Sequence, residues 1–156
     1  MRPGLIGLAV LALVLIGSSD AFESTRQLGD LPERGRPMLT PAGATLSLVS
    51  FALSTAVYVA LGIALARSLS SERGAVMSGV ATGVAAGLIG GTIRAVAASD
   101  YVGRTVNRFG LGIEFLVAVL VAFVVLSMIA SAAGGAAITW LGFRGGRRRQ
   151  MPRPPS

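Results

Sequence analysis

The chain has 156 residues, of which 53% are hydrophobic and only 13% charged, with a formal charge of +7 and a mean hydropathy of +0.71. Soluble domains carry about 25% charged residues, so this composition argues against a water-soluble globular fold. Cys and His are both absent, which excludes disulfides, thiolate or imidazole metal sites and the commonest general base.

The first apolar run extends from Leu5 to Ile16 and continues to Ser19. Arg2 precedes it and small residues follow. Residues 1–19 therefore fit either a short first membrane helix or a cleaved signal peptide. Residues 20–41 are polar and interrupted by Pro32, Pro37 and Pro41. They are expected to form an outer loop, with room for a short surface helix around Phe22 to Leu28. Thr40 and Pro41 make a helix start, Thr as the N-cap and Pro as the first helical residue.

A second span is predicted from about Ala42 to Ala66. Ser47, Ser50 and Ser54 lie three and four apart and share a face with Gly43. Small-residue packing is expected there, with a polar pathway lining as the alternative. The third span, about Ala75 to Ala98 with Ser70 or Ser71 as its cap, carries the most informative pattern. Gly79, Gly83, Gly87 and Gly91 recur every fourth residue and so share one helix face. Such a glycine zipper lets a neighbouring backbone approach closely. Glycine weakens a water-exposed helix, so the repeat points to a buried contact in lipid, within a bundle or between copies.

The fourth span starts near Leu111 and reaches Trp140 or Leu141. Its length of about 31 residues, roughly 46 Å, exceeds a hydrocarbon core of about 30 Å. Tilt, emergence from the membrane or a break at Gly134–Gly135 would accommodate it. Its bulky middle, FLVAVLVAFVVLSMIA, is expected to meet lipid or a larger partner, and Trp140 sits as an interfacial anchor. Between the third and fourth spans, Asp100 is expected to cap a short interfacial helix over YVGRTVNRF. Three spans thus occupy residues 42–143, and an Arg/Pro-rich tail covers residues 144–156.

With the N-terminus inside, eight arginines lie on the inner side and six on the outer. The positive-inside rule then places the C-terminal tail in the cytoplasm. Arg144, Arg147, Arg148 and Arg149 form a juxtamembrane patch, with Trp140 nearby, suited to anionic lipid headgroups or a docking partner. Nucleic acid is not expected, since no folded module or aromatic-interleaved surface accompanies the arginines. Arg94 at the outer end of the third span and Glu114 at the start of the fourth are expected to pair, with Arg104 and Arg108 competing. A proton or substrate site at Glu114 is the alternative.

The glycine-rich stretch matches no nucleotide loop, EF-hand spacing is missing, and no triad can be built. Neither enzyme activity nor a cofactor or metal is expected. The expected fold is an all-α polytopic transmembrane bundle of four spans, or three if residues 1–19 are removed. Rich packing signals with little chemical equipment point to a small structural or accessory subunit of an assembly in the cell membrane. Its partner would be a larger membrane protein complex or copies of itself. The alternative is a small oligomeric channel or transporter with a polar path near Ser47, Ser50, Ser54 and Glu114. A continuous wet route would favour the alternative; a dry, close-packed core would favour the subunit.

Overall fold

The computed structural model describes residues 3–29, 41–68 and 71–148. They form four α-helices: α1 Pro3–Gly29, α2 Pro41–Ala66, α3 Glu72–Arg108 and α4 Ile113–Arg148. There is no strand among the described residues. Each helix contains a stretch long and apolar enough to cross a membrane, and the chain is a multi-pass membrane protein. Helices are the form such stretches adopt in lipid, because every backbone group finds its partner inside the segment.

Three helices run further than their apolar stretches. α1 continues through Asp20 and Glu23 to Gly29, so Phe22 to Leu28 belongs to α1 and is not a separate surface helix. Nothing from Asp20 to Gly29 is a proline, and the helix propagates through the polar turn. α3 likewise continues to Arg108, so the separate interfacial helix capped by Asp100 does not form; Asp100 lies within α3. α4 passes unbroken through Gly134–Gly135 and on to Arg148. Thr40, the remainder of the 30–40 loop and Arg149 lie outside the described residues.

The helix ends follow local chemistry. Pro41 is the first residue of α2. Ser71 caps α3, its Oγ accepting a hydrogen bond from the Gly74 amide at 3.3 Å, with Glu72 favourably placed in the first turn. α3 stops in a Schellman motif. Gly110 turns left-handed at φ 67°, its amide donates to the Asn107 carbonyl, and the Leu111 amide donates to the Val106 carbonyl, both at 3.1 Å. A residue with a side chain at position 110 would strain this turn, which lets α4 fold back directly on α3.

The helices form a four-membered ring that does not follow chain order. α3 packs most extensively on α4, α4 also holds α2, and α1 closes against α3 and α2. α1 and α4 do not meet among the described residues, and α2 scarcely touches α3. Two neighbouring pairs, α1 with α3 and α2 with α4, are therefore parallel. The driest core lies at one end, where Ala9, Leu61, Leu65, Ala66, Ala75 and Phe143 cluster with Leu5 and Val57 against them. Phe143 is completely buried. Outward, Leu8, Leu11 and Leu15 of α1, Leu48 of α2 and Ile113, Val117, Val121 and Leu126 of α4 are exposed. An apolar surface of this extent is suited to lipid rather than to water.

Candidate functional site

Gly79, Gly83, Gly87 and Gly91 are all buried, and all four face α4. A Cβ at Gly79 would lie 2.5 Å from the Gly135 carbonyl oxygen, and one at Gly87 would lie 2.7 Å from the Met128 Cα. At Gly83 it would collide with the Ser131 carbonyl oxygen, and at Gly91 it would meet the Ser127 Cβ at 3.0 Å. The glycine face is thus used inside the chain.

A second bare seam joins α2 to the other side of α4. A Cβ at Gly142 would lie 2.6 Å from the Val59 carbonyl oxygen, and one at Gly146 would lie 2.8 Å from the Ala66 Cβ. Gly62 sits against the Thr139 carbonyl oxygen and the Phe143 amide nitrogen, and Gly135 makes room for the Tyr58 ring. The four-residue spacing of Gly142 and Gly146 was its only sequence signal. Thr139 is completely buried between the seams, and its Oγ1 has no hydrogen-bond partner among the described residues.

Two polar belts mark the bundle. In the first, the Asp20 carboxylate accepts from Arg94 Nη2 at 2.7 Å and from Ser47 Oγ at 2.8 Å, tying α1, α3 and α2 together. The second belt centres on Glu72. Its carboxylate accepts from Trp140 Nε1 at 2.8 Å and from Arg144 Nε at 3.1 Å, while the Arg144 guanidinium lies 4.1 Å from the Trp140 ring centroid. From Glu72 to Arg94 the α3 axis rises about 33 Å, close to the hydrocarbon thickness of about 30 Å. The belts are spaced as the two boundaries of a bilayer.

The predicted Arg94–Glu114 pair does not form. Gly91 lies against Ser127 and Val124, and Gly103 lies against Leu116. This antiparallel register leaves Arg94 roughly 10–16 Å along the axis from Glu114. Arg94 instead pairs with Asp20 of its parallel neighbour. Glu114 is exposed in the first turn of α4, where its charge suits the helix N-terminus; its carboxylate folds towards Gly112. No ion pair links Glu114 to Arg104 or Arg108 among the described residues. The predicted serine face is also divided. Ser47 joins the first belt, Ser54 lines a cavity, and half-buried Ser50 does neither.

At the Trp140 end, Arg67, Arg73, Arg144, Arg147 and Arg148 are all exposed. Arg147 also lies over the Phe143 ring, 5.7 Å from its centroid. Glu72 is the one acid among the described residues there, whereas Asp20, Glu23, Asp100 and Glu114 all lie towards the opposite end.

Between the belts all four helices line a half-open cavity of about 210 Å³. Ser54, Tyr58, Ser127 and Ser131 line it, and Arg94 is the one ionisable side chain besides Tyr58 in its wall. Below it, towards Trp140, the bundle is closed by the buried Leu65, Ala75 and Phe143. The cavity residues contributed by α4 escaped sequence reasoning because a Ser in an apolar run reads as packing. Comparison with family models, with curated proteins and with solved structures finds no match for this chain.

Proposed function

We propose that this protein is a small structural or accessory subunit of a membrane protein assembly, with the glycine-lined seams setting a rigid bundle that presents its bulky outer face to a partner. The observation that carries this reading is the two-sided contact of α4, whose backbone meets glycines of both α2 and α3. Such contacts favour a fixed shape over a mobile one. Leucine, valine and phenylalanine side chains on the outside of α2 and α4 would meet a larger complex or further copies. The arginines at the Trp140 end would rest on anionic headgroups at the cytoplasmic face.

Purification of the full chain in mild detergent, with mass determination and identification of copurifying chains, tests the proposal. A defined oligomer or a constant partner is the expected result. A stable monomer with no partner would overturn it. Orientation is tested separately with a cysteine introduced at Ser156 and a membrane-impermeant label, which is expected to react only after the membrane is opened.

A specific observation favours a second reading, a small channel or transporter: the cavity reaches from Ser54 and Tyr58 to Arg94. Against a continuous route stands the dry closure at Leu65, Ala75 and Phe143, which supports the subunit reading.

A further inference from the structure

We propose that the cavity between the four helices is a binding site for a small monovalent anion such as chloride. Tyr58 is only 7% exposed, yet its hydroxyl makes no hydrogen bond among the described residues. The same holds for the hydroxyls of Ser54, Ser127 and Ser131 in the same wall. Thr55 differs, its hydroxyl donating to the Phe51 carbonyl at 2.9 Å. The other four hydroxyls reach the surface of a half-open space rather than being sealed in the packing as Thr139 is, so a polar solute entering it can hydrogen-bond to them.

The charge of the wall selects the kind of occupant. Arg94 lines the cavity and Asp20 does not, so their ion pair turns its positive end inward. Arg94 donates to Asp20 through Nη2 and makes no other hydrogen bond among the described residues. A guanidinium carries five N–H donors, so donors remain for a ligand. The hydroxyls can donate or accept, so it is the Arg94 guanidinium in the wall that favours an anion over a metal cation. At about 30 Å³ per water, the space holds a partly hydrated anion. This inference stands apart from the assembly reading, because a chain with or without a partner would carry the same cavity.

The probe is chloride itself, titrated against the full chain in neutral detergent and followed by the chloride NMR linewidth. Saturable broadening is expected for the parent. Tyr58→Phe and Ser131→Ala each remove a hydroxyl that holds nothing in the protein, so the fold is retained, and each is expected to weaken binding about tenfold. Arg94→Gln is expected to abolish it, with circular dichroism reporting whether the bundle persists. Absence of saturable broadening in the parent would overturn the site. So would broadening that Tyr58→Phe and Ser131→Ala leave unchanged, or that vanishes in Arg147→Gln/Arg148→Gln instead. A phospholipid that copurifies with the parent, blocks chloride there and no longer copurifies with Arg94→Gln would assign the cavity to a headgroup and overturn the small-anion assignment.

Discussion

Gly83→Ala and Gly90→Ala add the same methyl group to the same helix and are expected to have opposite effects. At Gly83 the new Cβ would lie 2.6 Å from the Ser131 carbonyl carbon and 2.7 Å from the Ala132 Cα. Both are backbone atoms of α4 and cannot rotate away. Restoring ordinary contact, at 3.4 Å or more, requires α3 and α4 to separate by roughly 1 Å, which also loosens the contacts along the seam. Overpacking of this kind costs about 1–3 kcal/mol. At Gly90 nothing lies within 4 Å of the added Cβ, so only the helix preference for Ala remains, worth about 0.5–1 kcal/mol in favour. The two variants should therefore differ by roughly 1.5–4 kcal/mol. Reversible unfolding by SDS in mixed micelles, followed by circular dichroism, measures the difference. If Gly83→Ala is as stable as Gly90→Ala, the close approach of α3 to α4 is not what holds the bundle.

Gly142→Ala should destabilise by a similar 1–3 kcal/mol or so in the same assay, because Val59 backbone occupies the space of the new methyl. Thr139→Val should be neutral or stabilising by about 1 kcal/mol, since it removes a buried hydroxyl that has no partner; clear destabilisation would mean that this hydroxyl is bonded. Asp20→Asn should cost about 1–2 kcal/mol, between the exposed and buried limits for ion pairs, and Asp20→Asn/Arg94→Gln should recover part of it. Glu72→Gln should shift the emission of Trp140, the one tryptophan, because the carboxylate that accepts from its indole N–H is gone; an unchanged spectrum would count against that hydrogen bond.

The long charge-free runs made all four helices legible, and the four-residue glycine spacing gave the α3 face. The helix ends were less legible, because apolarity stops before helicity does: Ser99 to Arg108 contains no proline and only Gly103, so the ladder of backbone bonds simply continues. The partner of Arg94 was hidden for a different reason. Glu114 follows it in the chain, but the ring sets α3 beside its parallel neighbour α1, and Asp20 lies nearer than anything the short α3–α4 turn supplies. The cavity was hidden too. Ser54 and Tyr58 on one helix, and Ser127 and Ser131 on another, each stand four apart and share a face, but no spacing within one helix shows that the two faces converge on one space.

The position of α4 between α2 and α3 bears on how the molecule is made. Helices enter the bilayer singly and associate afterwards, and α4 follows the other three in the chain. Until it emerges from the translation machinery, the bare faces of Gly62 on α2 and of Gly79, Gly83, Gly87 and Gly91 on α3 have no partner of their own, and α2 and α3 make little contact with each other. During that interval any small-residue helix passing through the same membrane is a competitor for those faces. The tight turn at Gly110 shortens the interval, because it delivers α4 antiparallel against α3 as soon as both are inserted. A ribosome stalled before Ile113 would instead release three spans with their most adhesive surfaces open, a natural substrate for membrane quality control.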